Sequence, residues 1–453
     1  MPASAARRTL PAPFAARRAK SAGRRPTRAP AARHSLEHRI LITATMCLLA
    51  FGAVMVYSAT SATALLSGEG DGASDLIRFL AFAAIGLVLM RVLARDGVAR
   101  VQGIVGPLLG VSFALVLAVH IPHVGVAVNG ARRWIGPGSL QFQPSELLKL
   151  ALVLYAATLL ARRPKRVNDL RALARPLLTV VGCACLLVAT EPDLGTAMTI
   201  AFTTAALLVA AGIPGRNLAI IAGVVCAMVL LFAVVQPYER ARLTSFIDPW
   251  AHASTSGFQA VQGQIAIGSG GLFGVGPGQS VQKIFYLPEA STDFILAVIA
   301  EELGVVGVLG LLFLYGLIAY AGLRAARSAR SLHSALIAVG VTSLIVSQAV
   351  LNAFAVLGLA PLTGVPLPLV SYGSSSMVMT LAAMGLLLNV AAGGTAHVRA
   401  VGSGSARRER NEAARRARKA AGLSNEREQD RDRDGRHGRA RGSRAGGGRR
   451  AAS

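Results

Sequence analysis

The sequence predicts an all-α polytopic membrane protein with about ten transmembrane helices, on three grounds. Hydrophobic residues make up 53% of the 453-residue chain and charged ones 15%, too apolar a balance for a disordered chain or an ordinary soluble enzyme. Apolar runs close to the roughly twenty residues that cross a bilayer recur along it. Arginine and lysine concentrate in alternate connections between those runs, which is the asymmetry that orients a membrane protein.

In order, the runs are 40–56, 76–93, 104–119, 147–160, 177–189, 196–211, 218–235, 295–320, 335–357 and 377–390. The shorter ones are expected to extend into flanking polar motifs. Arg91, Arg95 and Arg100 fall between the second and third runs. Arg162, Arg163, Lys165, Arg166, Arg171 and Arg175 fall between the fourth and fifth, Arg216 after the sixth, and Arg324, Arg327 and Arg330 after the eighth. An even number of spans places these connections and both termini in the cytoplasm. The long segments 120–146 and 236–294, the latter between spans seven and eight, then face outward. Connections of that length are uncommon unless they carry function. In the second, Phe258, Val261 and Ile265 at helical spacing predict a short interfacial helix.

The net charge of +25 sits mostly at the two ends. Residues 1–39 carry ten Arg/Lys against Glu37, and residues 399–450 carry seventeen against seven acids. Residues 1–38 and 394–453 are therefore expected as disordered basic cytoplasmic tails around a membrane domain of residues 39–393. Such tails favour cytoplasmic retention and attract anionic membrane lipids. They lack the interleaved aromatics or folded motif of a nucleic-acid binder, so no nucleic acid is expected. The first apolar run continues without a cleavage pattern, unlike a signal peptide. Cys47, Cys183, Cys185 and Cys226 all lie in apolar runs and read as small core residues rather than metal ligands.

Four outward motifs carry the polar chemistry. The first runs through Arg132-Arg133-Trp134-Ile135 into Phe142-Gln143-Pro144-Ser145-Glu146, with Lys149 following. Pro144 suits the first turn of a helix, and Ser145, Glu146 and Lys149 then share a face at the membrane boundary. Ionisable groups there are costly and functional by default. The second, Glu191-Pro-Asp193-Leu-Gly-Thr196, is a tight break in which Asp193 suits a helix cap. The third is glycine-rich over 268–278, reads as flexible rather than as a phosphate loop, and leads to Lys283, Glu289 and Asp293. Asp293 stands where a cap would stand, and Glu301 and Glu302 lie within the next span, where paired carboxylates call for a cavity or a partner cation. The fourth, 361–376, interrupts an apolar region with three prolines and a serine cluster that includes Ser371 beside Tyr372. It reads as a cavity wall.

With these residues in hand, the chain resembles the SEDS family (shape, elongation, division and sporulation) of polytopic peptidoglycan glycosyltransferases over about residues 38–393. The resemblance rests on R-R-W-I, F-Q-P-S-E-x-x-K, E-P-D-L-G-T-A, L-P-E-A-x-T-D-F-I, A-E-E-L-G and L-P-L-V-S-Y-G in order. Gly276-Pro-Gly-Gln-Ser-Val-Gln-Lys283 is similar to the cell-division branch more than to the elongation branch. Ser374 stands where the family usually has glycine, and Thr363 where many division-type members have lysine.

The resemblance implies polymerisation of lipid II onto a lipid-linked glycan at the outer face of the cytoplasmic membrane, enriched at the division septum. Asp293 matches the family's essential aspartate and would be the general base, best served by partial burial. Arg133, Lys149 and Lys283 are candidates to meet the leaving pyrophosphate, with a divalent cation, magnesium or manganese, left open. Trp134, Gln143, Ser145, Glu146, Asp193, Glu289, Ser371 and Tyr372 complete the expected substrate-binding set. A class B penicillin-binding protein, a transpeptidase, is the implied partner, along with other divisome proteins. A lipid II flippase needs a similar polar cavity but no base, a recruiting scaffold tolerates loss of Asp293, and an elongation-type polymerase shares the chemistry.

Overall fold

The computed structural model describes residues 35–68, 72–128, 131–137, 141–164 and 169–394. Most of both expected tails, together with Asn129, Gly130, Lys165 and Arg166, lies outside the described residues. Among those described, nine helices are long and apolar enough to cross a membrane. They are α1 (Leu36–Ser67), α2 (Ala73–Ala118), α3 (Pro144–Arg162), the run Leu170–Thr190, α6 (Leu194–Ala211), α7 (Gly215–Val235), α10 (Ile295–Ser328), α11 (Leu332–Val356) and α12 (Ser374–Ala391). Within Leu170–Thr190, α4 (Leu170–Leu173) passes through a π turn, Ala174–Leu178, into α5 (Thr179–Thr190). Pro176 lies in that turn and has no amide to donate, which loosens the helical ladder there. α1 begins inside the expected tail, because the Ser35 hydroxyl accepts from the His38 amide at 3.3 Å and caps it.

Ten expected runs become nine helices because the second and third are continuous in α2. A straight helix of its 46 residues would be about 69 Å long, more than twice a bilayer core. It breaks at Asp96, whose φ of −138° is not helical. The break exposes carbonyls, and Asn389 of α12 donates to two of them, Ala94 at 2.9 Å and Arg95 at 2.7 Å. Small residues let the two helices approach. A Cβ on Gly385 would stand 2.5 Å from the Met90 carbonyl oxygen, and one on Gly86 would strike Leu381. Close packing of this kind is what holds helices together in lipid. α3, α11 and α12 form the enclosed centre, and α7 is the most peripheral span.

The four cysteines correct the expectation of core positions: Cys47, Cys183 and Cys226 are exposed on outer helix faces and Cys185 is partly buried. An apolar run in a membrane protein need not face the protein, since lipid accepts the same side chains.

The long segment between α7 and α10 contains α8 (Pro237–Ile247) and α9 (Phe258–Gly270), the latter over the residues read as helical. Its glycine-rich stretch is bonded in place rather than loose. α10 breaks at Gly304, whose φ is +65°, and the loop backbone fills the gap. Val305 and Val306 donate to the carbonyls of Gly271 and Leu272, while Val275 and Gly276 donate to those of Glu301 and Glu302. A Cβ on Gly274 would meet the Glu302 carbonyl oxygen at 2.1 Å. Glycine is needed for that approach.

Candidate active site

Two antiparallel strands, β1 (Gly125–Val128) and β2 (Ala131–Ile135), precede α3. Their register pairs Val126 with Trp134 and Ala127 with Arg132, so it passes over Arg133 as the extra residue of a bulge. A bulge re-aims a side chain. The Arg133 guanidinium donates from Nε to the Glu191 carbonyl at 2.9 Å and from a terminal nitrogen to the Pro192 carbonyl. It is thereby seated on the turn between α5 and α6.

That turn holds the second motif. Asp193 caps α6 by accepting from the Thr196 amide at 3.0 Å, and its other oxygen accepts from the Gln143 side chain at 3.3 Å. Gln143 also donates its amide to the Ser375 hydroxyl at 2.9 Å, so the start of α3, the start of α6 and the start of α12 are tied together. Ser374 lies in the first turn of α12 without a left-handed φ, and its hydroxyl donates to the Gln141 carbonyl at 3.1 Å. Glycine is not required there.

Asp293 ends the long segment one residue before the N-cap of α10, and no side chain caps that helix. The capping reading of Asp293 is thus removed. The backbone at and just before it is clamped from two sides: Asn352 of α11 donates to the Asp293 carbonyl at 2.7 Å and to that of Val365 at 2.8 Å. Ser371 donates to the Thr292 carbonyl at 2.6 Å, and the Tyr372 amide donates to that of Ser291 at 2.9 Å. The proline-rich segment is therefore stitched to the residues just before Asp293. Glu289 holds a turn there, accepting from the Thr292 hydroxyl at 2.6 Å, with a φ of +56°. Such strain clusters at functional sites.

The charged groups converge at Gly364, whose φ is +66°. A Cβ placed there would lie 3.3 Å from Asp293 Oδ2 and 3.8 Å from a terminal nitrogen of both Arg133 and Arg242. Burial pushes the Asp293 carboxyl up to about 7; Glu289 and Asp193 act in the same direction, while Arg242 and Arg133 oppose them. Glu191 is buried with neither oxygen hydrogen-bonded among the described residues, and burial with Asp193 nearby raises it to about 8. Glu239 of α8 is likewise buried and raised by burial.

Arg242 and Glu239 were not singled out from sequence. The signal was there: Pro237 at a first helical turn, then an acid and a base three apart.

Other expected residues sit elsewhere. Lys283 is buried and its ammonium meets Glu302 at 2.7 Å, the Gly278 carbonyl at 2.8 Å and Ser58 of α1 at 3.0 Å. All three of its donors are engaged. Glu301 accepts from the Val281 amide at 3.0 Å and from Ser280, so the paired carboxylates anchor this loop. Lys149 is buried against Glu146 at 2.8 Å, about 9 Å beyond Gln143 along α3. It lines a water-sized cavity with Thr203 and Leu344. Ser145 is fully buried, its hydroxyl unpartnered among the described residues, and Trp134 is partly buried on β2. Among the described residues no three carboxylate, imidazole or thiol side chains come together to hold a metal ion. The cations beside Asp293 are guanidiniums.

A family model described as cell cycle protein, FtsW/RodA/SpoVE, matches residues 38–395. The chain is 42% identical over 354 residues to a probable peptidoglycan glycosyltransferase FtsW of Thioalkalivibrio sulfidiphilus, covering 77% of this chain and 88% of that protein. It is 38% identical over 351 residues to the stage V sporulation protein E of Bacillus subtilis, covering 78% and 96%. Its fold is similar to a chain of a solved peptidoglycan synthase complex that coordinates polymerization and crosslinking, with a TM-score of 0.63 and 32% identity over 78% of this chain and 96% of that one. The crystal structure of the rod shape determining protein RodA of Thermus thermophilus gives a TM-score of 0.57 and 31% identity over 78% and 95%. With a match running from α1 to the end of α12, the chain belongs to the FtsW/RodA/SpoVE family.

Proposed function

We propose that the protein is a peptidoglycan glycosyltransferase that polymerises lipid II into glycan strands, in the division branch of its family. The observation that carries this reading is Asp293: a partly buried carboxylate spent on neither a helix cap nor an ion pair among the described residues. The 4-hydroxyl of the acceptor sugar attacks the anomeric carbon of the donor while Asp293 takes the hydroxyl proton. The bond from that carbon to the pyrophosphate oxygen breaks, and the lipid pyrophosphate leaves as an anion. Arg133, held beside Asp293 by the bulge, supplies charge where the anion forms. Gln143, Asp193, Ser371 and Tyr372 shape the wall around that group. Lys149 and Lys283 act through the framework. The purified protein is expected to convert lipid II into glycan polymer, seen as a ladder on a gel; translocation of lipid II without any polymer would instead establish a flippase.

The reaction belongs on the outer face of the cytoplasmic membrane, with both termini in the cytoplasm and the protein concentrated at the septum. A reporter fused at Gly257 is expected to read as exoplasmic, and one at Ser405 as cytoplasmic. The reverse result would overturn this orientation. A class B penicillin-binding protein is the proposed partner. The long segment offers it an apolar surface in Phe273, Val281, Phe285 and Tyr286, each more than half exposed.

A further inference from the structure

We propose that Arg242 is a second diphosphate-binding residue, which with Arg133 clamps the anionic linker of the lipid-carried donor beside Gly364. The inference rests on the glycosyltransferase reading of Asp293 and adds to it a substrate contact contributed by α8.

Arg242 and Arg133 come from segments more than a hundred residues apart in sequence, yet a terminal nitrogen of each lies 3.8 Å from the same point, beside Asp293 Oδ2. Both side chains are partly exposed, so both are reachable. What holds Arg242 is neutral: the Leu362 carbonyl at 3.2 Å, the Tyr238 hydroxyl at 2.8 Å and the Tyr238 ring, 4.6 Å below its guanidinium. Arg133 is likewise held by two carbonyls. Neither guanidinium forms an ion pair among the described residues.

Charge points the same way. The acids facing these arginines are Glu191, Asp193, Glu239, Glu289 and Asp293. Asp193 is committed to the α6 cap and Gln143, and burial favours the neutral forms of Glu191 and Glu239. Two oriented guanidiniums remain beside Gly364, which has no side chain, with Asp293 Oδ2 close to the same point. A diphosphate ester has the charge and the several acceptor oxygens that two planar forks match, and arginine does this better than lysine.

The test uses full-length protein in lipid nanodiscs, with undecaprenyl pyrophosphate and undecaprenyl monophosphate as probes. Wild type is expected to bind the pyrophosphate lipid more tightly. Arg242→Gln should weaken that binding about tenfold or more, the scale of a lost charged hydrogen bond, and shrink the preference over the monophosphate. Arg242→Lys keeps the charge without the fork and should fall between. The acid limb of turnover should also move to higher pH in Arg242→Gln, because a cation that favours ionised Asp293 is gone.

A purely structural Arg242 would lower thermal stability yet leave affinity, selectivity and the acid limb as in wild type, and that result overturns the inference. If Arg242→Gln does not fold, Arg242→Lys decides, and unchanged affinity with unchanged selectivity overturns the inference as well. Loss of the polymerase reading is separately visible as absence of polymer from wild type, or as polymer from Asp293→Asn at a near wild-type rate.

Discussion

Asp293→Asn is expected to insert, fold and bind lipid II while polymerising it roughly 10²–10⁴-fold more slowly, the usual cost of losing a general base. Asparagine keeps the size and the polar edge but accepts no proton at the required position. Stability should be nearly untouched, since Asp293 does not cap α10 and the clamps from Asn352 and Ser371 grip backbone carbonyls that the substitution retains.

The pH profile gives an independent check. A base works when deprotonated, and burial has moved this carboxyl from the ordinary range to about 7. Wild-type turnover should therefore climb through neutrality and level off above it, whereas an unperturbed aspartate would already have levelled off near pH 5. The residual rate of Asp293→Asn should not show that limb. Polymer from purified Asp293→Asn at a near wild-type rate would remove Asp293 as the base.

Lys283→Met is the second large effect, and it falls on stability. Methionine fills the space of the alkyl stem but leaves Glu302 without its cation in a site where both side chains are almost wholly buried. Breaking one side of a buried pair costs about 3–5 kcal/mol. The Gly278 carbonyl and Ser58 lose their donor as well. The double variant Lys283→Met with Glu302→Gln should recover a large part of that loss, because no uncompensated charge remains. Thermal unfolding of the four proteins in detergent measures the coupling. If Lys283 instead met the substrate's pyrophosphate, Lys283→Met would fold as wild type and lose lipid II affinity, and the tether reading would fail.

The contrast between these two residues shows what could be read early. Helical spans, the helix at Phe258, the start of α3 at Pro144 and the cap by Asp193 all follow from period, hydropathy and end chemistry, which act over one or two turns. The order of the polar motifs was legible in the same way, but Asp293 stood out within them through the family resemblance, since end chemistry alone reads it as a cap.

Other features depend on which surfaces meet. Lys283 reads in sequence as a cation near the chemistry, and only the packing of the loop on the break at Gly304 gives it Glu302. The glycines of that loop read as flexible because a close backbone approach leaves no local trace. Arg133 is a candidate from the sequence, but only the strand register, which passes over it, gives the reason its side chain is aimed at the turn between α5 and α6. Arg242 sits on a short polar helix that no hydropathy pattern marks. The sequence determined a polytopic membrane protein and its candidate base. Tertiary structure alone decided which charges face each other, because a charge pair takes its energy from distance and desolvation, and both are set by how separate helices pack.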